Sequence, residues 1–183
     1  MNHQFVVYAG CMFSSKTTKL LMNIEKYKYQ NKKIVAFKPK IDIRYSDDEI
    51  SSHIGLKYKA VCVENGGAML EYLQKLDSFD VVAVDEQFMI KDSSDVLIWL
   101  FKNTINVLVS TLDLSYAGKP FHETMKIMPY ATHVEKCTSV CTVCGKDAFY
   151  THRKNIDEND EIVVGGFDKY EPRCYQHFPY IQG

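Results

Sequence analysis

The stretch 10-GCMFSSKT-17 decides how the rest of the chain is read. It follows the outline of a phosphate-gripping loop, G-x-x-x-x-G-K-S/T, with Ser15 where the second glycine belongs. The β-branched and aromatic run 4-QFVVYA-9 precedes it and reads as a buried strand. From Ser15 to about Tyr29 the pattern turns helical, with Leu20, Leu21, Ile24 and Tyr27 on one side. A strand that ends in such a loop and opens a helix turns backbone N–H groups and the positive helix end toward phosphate oxygens. Lys16 then reaches the outer phosphates, and the Thr17 hydroxyl joins a magnesium shell. The plainer reading is a serine-rich helix start with Ser14 or Ser15 as N-cap. The preceding strand and an acidic strand end downstream favour the phosphate loop. Serine at position 15 is tolerated if its φ is negative. A left-handed conformation there costs roughly 1–2 kcal/mol.

Working outward, 33-KIVAFKP-39, 57-KYKAVCVE-64, 79-FDVVAVDE-86 and 105-INVLVSTL-112 read as further buried strands. Between them, 66-GGAMLEYLQKL-76 and 93-SSDVLIWLFKN-103 read as helices, and residues 40–55 as a polar loop over the sheet edge. Short apolar strands alternating with helices predict an α/β fold, a mostly parallel sheet with helices on both faces. The run 81-VVAVDEQF-88 ends in Asp85 and Glu86, and ligands bind at strand ends in such sheets. Two carboxylates there can divide the work: one holds Mg²⁺, and the other takes a proton from an attacking hydroxyl. Alone, the pair reads equally well as a solvated turn.

The 183 residues are 46% hydrophobic and 25% charged with net charge −1, which fits one domain with a small appendage. That balance argues against a nucleic-acid or anionic-membrane partner, which needs a basic field. No apolar run approaches the roughly 20 residues of a membrane span. The opening MNHQFVVYAG has no basic leader or signal-type apolar stretch, so a reducing cytoplasm is expected. After about Val134 cysteines, glycines and charges replace the helix–strand alternation. A soft boundary is therefore expected between a nucleotide-binding body, 1–134, and an appendage, 135–183. In the appendage, 141-CTVCGKDA-148 and 174-CYQH-177 supply Cys141, Cys144, Cys174 and His177. Three thiolates and an imidazole make a closed tetrahedral zinc set with no open position, so the zinc is structural and replaces a core. Cys137 and His133 are the residues most easily mistaken for ligands.

These motifs, in this order, resemble the thymidine kinases of the cytosolic and viral type, the compact P-loop and zinc class. The resemblance runs from about Val6 to His177. It rests on Gly10, Met12, Phe13, Ser14, Lys16 and Thr17 of the loop, and on 38-KPKIDIRY-45, 52-SHIG-55 and 111-TLDLSYAGKPF-121. The two zinc half-sites complete it, with 164-VGGFDKYEPRC-174 before the third ligand.

The resemblance implies an ATP-dependent transfer of the γ-phosphoryl group to the 5′-hydroxyl of thymidine, with deoxyuridine as a further acceptor. ATP would lie along Gly10, Cys11, Met12, Phe13, Ser14, Ser15, Lys16 and Thr17. Asp42, Ile43 and Arg44 would assist, as would Asp85, Glu86, Gln87 and Phe88. Glu86 becomes the general base, while Lys16, Mg²⁺ and Arg44 offset charge on the transferring group. Met12, Phe88, Leu112, Tyr116, Phe121 and Thr151 would surround base and sugar. A lasso-like loop rooted by the zinc would read the thymine with the backbone of Glu161, Ile162, Val163, Val164 and Gly165, together with Tyr170. A homotetramer with helices paired across subunits is implied, a dimer being the alternative, and so is feedback inhibition by thymidine triphosphate.

Three departures from the family pattern stand out. Cys11 and Ser15 replace proline and glycine. The motif D-E-x-Q-F-F appears as 85-DEQFMI-90, either with one residue deleted or gapless with Phe88 on the glutamine position. Tyr116 replaces a phenylalanine, and its hydroxyl needs a partner. Two other readings compete: a nucleotide-binding regulator that has lost turnover, and a P-loop ATPase whose zinc knuckle grips nucleic acid. The second is disfavoured by the near-neutral charge, although 152-HRK-154 is a small basic patch.

Overall fold

The computed structural model describes residues 3–41, 48–154 and 165–180. The body runs β1 (Phe5–Gly10), α1 (Lys16–Tyr29), β2 (Ile34–Pro39), β3 (Glu49–Ser51), β4 (Lys57–Lys59), β5 (Val61–Val63) and α2 (Gly66–Leu73). It continues with β6 (Val81–Val84), α3 (Ser93–Lys102), β7 (Asn106–Thr111), α4 (His122–Ile127) and β8 (His133–Cys137). The C-terminal part adds β9 (Ser139–Val140), β10 (Asp147–Ala148), β11 (Tyr150–Arg153) and β12 (Tyr170–Arg173).

Six strands form one sheet in the order β5-β2-β6-β7-β1-β8, and every neighbouring pair is parallel. Parallel pairing demands crossover segments, and the helices supply them while covering both faces. Alternation along each strand sorts the core into two layers. Phe5, Val7, Phe37, Val82, Val84, Val107 and Val109 pack with Met69 and Leu73 of α2, Leu97 and Leu100 of α3, and Ile127 of α4. Val6, Tyr8, Ala36, Val81, Ala83 and Leu108 face Leu20, Leu21, Ile24 and Tyr27 of α1. Each fully buried leucine or isoleucine of that α1 stripe stabilises the fold by about 1.5–3 kcal/mol. Truncating Leu20 to alanine is the single change most apt to loosen α1 from the sheet, because its side chain is wholly buried.

Two details depart from the expected pattern. Residues 57–64 are not one strand. β4 turns back antiparallel on β3, and after Ala60 the chain enters the sheet as β5. The polar loop expected over 40–55 thus contains β3, whose Ile50 is buried under the α1 layer. The sheet also gains a sixth strand, β8, which pairs with β1 from Val6↔His133 to Gly10↔Cys137. It is an edge strand with an exposed face, which is why HVEKC carries little strand signal. No helix among the described residues is long and apolar enough to cross a membrane.

Candidate functional site

The phosphate loop leaves β1 at Gly10, whose φ of 149° and tight fit against the Cys137 carbonyl leave no room for a Cβ. Phe13 and Ser15 follow with left-handed φ of 63° and 59°. Ser15 therefore occupies the costly conformation and still builds the turn that glycine would build, at roughly 1–2 kcal/mol. It stands at the N-cap of α1 but makes no side-chain cap bond, and α1 has no acidic residue in its first turn. The helix end thus keeps its positive character for an external anion. Lys16 is buried, and its ammonium donates to the Cys11 carbonyl at 2.6 Å and to Ser14 Oγ at 3.4 Å.

The acidic turn lies two strands away, because β7 separates β1 from β6. Asp85 bridges the gap. Its Oδ1 accepts from Thr17 Oγ1 at 3.0 Å and from Ser110 Oγ at the end of β7. Glu86 has a left-handed φ of 49° and leads into a 3-10 turn, Gln87–Met89. Lys16, Thr17, Asp85 and Glu86 line one cleft of about 200 Å³, shared with Lys38 and Phe167. Gln87 does not reach that cleft. It is fully buried, donates to Ser93 Oγ at 2.9 Å and accepts from Thr111 Oγ1 at 3.3 Å, fixing the turn beneath Glu86.

Next to the cleft, Phe88, Leu112 and Phe121 form a small apolar cluster with Met12 and Met89. The rings of Phe88 and Phe121 lie 4.5 Å apart. Four of the residues expected around a base are thereby brought together. Tyr116 stands apart from that cluster. The Arg153 guanidinium lies over its ring at 5.0 Å, and its edge meets Tyr180. Thr151 is buried, and its hydroxyl accepts from the Met12 N–H at 3.0 Å. Tyr170 is buried at the start of β12, opposite Arg153, and Gly165 packs against Lys169. Asp42, Ile43 and Arg44, and likewise Glu161, Ile162, Val163 and Val164, lie outside the described residues.

The C-terminal part is stitched to the phosphate loop residue by residue. Gly10 pairs with Cys137, the Cys11 thiol donates to the Ala148 carbonyl at 3.4 Å, and Met12 is held by Thr151. Phe13 stacks on Phe167, with ring centroids 3.6 Å apart and planes 14° from parallel. Ser110, Lys38 and Phe167 escaped the sequence reading. Ser110 and Lys38 carry a faint signal, being polar residues at the C-terminal ends of apolar strands, where ligands gather. Phe167 carries none.

The metal-type cluster comprises Cys141, Cys144, Cys174 and His177, whose donor atoms all lie within 4.8 Å of one another. Cys144 and Cys174 sulfurs are 3.7 Å apart, and His177 Nδ1 lies 3.2 Å from Cys174 and 3.7 Å from Cys141 sulfur. A tetrahedron with Zn–S near 2.3 Å has sulfur–sulfur edges of about 3.7 Å, so the donor set fits zinc in type, number and spacing. Burial pushes the Cys141 thiol up, but backbone N–H groups of Cys174, Val143 and Cys144 outweigh it and hold the thiol at about 6. Burial instead raises Cys11 and Cys137, which stay thiols. Cys137 donates to its own strand and His133 is exposed on β8, so neither joins the cluster. The antiparallel pair β11–β12 closes the base of the segment between them, with the Lys154 N–H on the Lys169 carbonyl at 2.9 Å, and Cys174 follows β12 directly.

A parallel α/β sheet with a phosphate-type loop facing an acidic strand end, together with a Cys3His cluster that could hold a metal ion, defines a P-loop protein with a metal-type cluster in its C-terminal part. More narrowly, the chain belongs to the thymidine kinase family: the family model described as thymidine kinase matches residues 3–178. It is 36% identical over 180 residues to a thymidine kinase of Pyrobaculum aerophilum, covering 94% of this chain and 97% of that one. It is also 36% identical over 180 residues to a thymidine kinase of Thermococcus kodakarensis, covering 93% and 91%.

Proposed function

We propose that the protein is an ATP:thymidine 5′-phosphotransferase. The observation that carries this reading is the contact between Thr17 and Asp85, which brings the phosphate loop and the acidic turn to one cleft beside the apolar cluster of Met12, Phe88, Leu112 and Phe121. Gly10 through Thr17 cradle the phosphates of ATP, with Asp42, Ile43 and Arg44 assisting. Glu86 accepts the proton of the thymidine 5′-hydroxyl, and Lys16 and Arg44 stabilise charge on the transferring phosphoryl. Thr17 and Asp85 would hold Mg²⁺, which offsets phosphate charge when bound. Catalysis is then positioning and electrostatics.

Phe88 faces the apolar cluster while Gln87 is buried beneath the turn. This favours a one-residue deletion in 85-DEQFMI-90, with Phe88 against the base and the supporting role left to Gln87. Met12, Leu112, Phe121 and Thr151 complete the nucleoside wall. Tyr116 closes it from the side, and Glu161 through Gly165, with Tyr170, read the base edge. Structural zinc on Cys141, Cys144, Cys174 and His177 roots this appendage, which we delimit from the nucleotide-binding body near residue 134, within β8, the strand the two share. No disulfide joins the six cysteines, which suits a reducing cytoplasm. A homotetramer is the assembly we expect. It is supported by separate exposed apolar residues on α1 (Met22, Tyr29) and on α3 and α4 (Trp99, Met125). Feedback inhibition by thymidine triphosphate belongs to the same reading.

Phosphate transfer from labelled ATP, offered in parallel to thymidine, deoxyuridine and deoxycytidine, tests it. Thymidine monophosphate is expected from the zinc-loaded protein, and its absence refutes the kinase reading.

A further inference from the structure

We propose that Glu123, at the head of α4, is a positioning residue for Glu86, holding the turn that carries this carboxylate through Ser93 and the Gln87 amide. The proposal rests on the kinase reading above and adds to it a residue that does not line the cleft.

Glu86 holds a left-handed φ of 49° at the start of the turn Gln87–Met89. Within the turn, the Met89 N–H donates to the Glu86 carbonyl and the Ile90 N–H to the Gln87 carbonyl, both at 3.0 Å. A left-handed residue other than glycine persists only where its surroundings over-determine it. The Gln87 side chain supplies such an anchor, being fully buried with both ends of its amide engaged. Both ends lead to α4. Gln87 Nε2 donates to Ser93 Oγ at 2.9 Å, and Ser93 Oγ lies 3.4 Å from Glu123 Oε2. Gln87 Oε1 lies 3.3 Å from Thr111 Oγ1, which lies 2.8 Å from Thr124 Oγ1. Adjacent residues at the start of one short helix thus reach a single amide from opposite ends. The flanking residues meet as well, since Phe121, just before α4, packs its ring 4.5 Å from that of Phe88.

Charge makes Glu123 the fixed point of this chain. Its buried carboxylate accepts from the backbone N–H groups of Asp92 at 3.1 Å and Ser94 at 2.9 Å, at the positive end of α3. The single hydroxyl proton of Ser93 has two acceptors at 3.4 Å, Glu123 Oε2 and the Gln87 carbonyl. The carboxylate is the stronger acceptor, so the proton turns to Glu123 and a lone pair of the hydroxyl faces Gln87 Nε2. That orders the amide, with Nε2 toward Ser93 and Oε1 toward Thr111. Glutamine at position 123 cannot do the same. Oε1 already serves the Asp92 N–H and Oε2 the Ser94 N–H, so an NH2 group in either place sets donor against donor. Capping α3 needs only those two backbone contacts. The further link through Ser93 to Gln87 ties the cap to the base.

In the transfer step the 5′-oxygen forms a bond to the γ-phosphorus while the bond from that phosphorus to the β,γ-bridging oxygen breaks. ADP leaves with the electron pair, and the hydroxyl proton passes to Glu86, which must stand within hydrogen-bond reach of the 5′-oxygen. Glu123 takes no proton. Without its anchor the turn drifts, and a misplacement of about 1 Å slows such a step by about 10²-fold.

The test compares zinc-loaded wild type with E123Q, S93A and E86Q, and with E123Q and S93A each combined with E86Q. Turnover with thymidine, ATP affinity and amide exchange are measured on each. S93A removes the link to Gln87 and keeps both backbone contacts of Glu123, so it guards against loss of folding in E123Q. Turnover of E123Q and S93A is expected to fall about 10–100-fold, with ATP affinity within about twofold of wild type. Exchange at Met89 and Ile90 should speed up about tenfold or more in both, while β1 and β6 keep their protection. Once Glu86 is replaced its placement no longer matters, so in that background E123Q and S93A should lower turnover by no more than about threefold further. Turnover of S93A within about threefold of wild type overturns the proposal. So do losses that multiply in full with that of E86Q, or unchanged exchange at Met89 and Ile90, because either leaves Glu123 a helix cap only. If the wild type makes no thymidine monophosphate, the kinase reading fails separately, while exchange at Met89 and Ile90 still decides whether Glu123 holds the turn.

Discussion

In the α/β body, Phe5, Phe37, Leu20 and Leu108 are wholly buried in two apolar layers. In the C-terminal appendage the comparable interior is Cys141, Ala148 and Cys174, together with Phe178, which stacks on Tyr150 at 4.8 Å. The body folds around area removed from water. The appendage buries a smaller apolar cluster, beside which stand four metal-type donors and contacts with its neighbour. Those contacts fall on consecutive residues of the phosphate loop, Gly10 to Phe13. The C-terminal region therefore holds one side of the 10–17 loop, and α1 and the turn after β6 hold the other.

Removal of the proposed zinc is the strongest way to break this comparison. With zinc chelated, amide exchange across β9 to β12 is expected to speed up by about 10²-fold or more while β1, β6 and β7 keep their protection. Thymidine phosphorylation should fall with the appendage. Equal protection in both regions, or uniform loss, contradicts the division. A smaller effect is expected at the seam. Gly10→Ala meets the Cys137 carbonyl and a forbidden φ, and should lower unfolding free energy by about 2–3 kcal/mol in a urea titration. A loss within measurement error removes the seam from the account. The smallest effect has the opposite sign. Ser15→Gly relieves the left-handed serine, and after the entropy glycine adds to the unfolded chain should stabilise by about 0.5–1 kcal/mol. Destabilisation by that amount would mean that Ser15 contributes something its backbone does not reveal.

The body was legible because its signal is local. FVVYA, IVAF and VVAV are β-branched runs buried on both faces, and the α1 stripe has a clear helical period. β3, β4 and β5 were not legible as separate strands, since three residues carry no period and the break at Ala60 is tertiary. In the site, motif spacing singled out residues 10–17, the acid pair and the cysteine–histidine set, the last of which the structure gathers into one cluster. Ser110 and Lys38 reach the cleft through strand order and register, and Phe167 reaches Phe13 across more than 150 residues of chain. Partnerships of that kind are written in topology, which no short window of sequence contains.

The central claim is that the loop and the acid pair serve one reaction, with Glu86 as proton acceptor. Measuring turnover and ATP affinity of Glu86→Gln, in zinc-loaded protein with thymidine, tests it most directly. The account predicts a drop in turnover of about 10²-fold or more, the scale for a general base, with ATP bound as tightly as by the wild type. Unaltered turnover would contradict it.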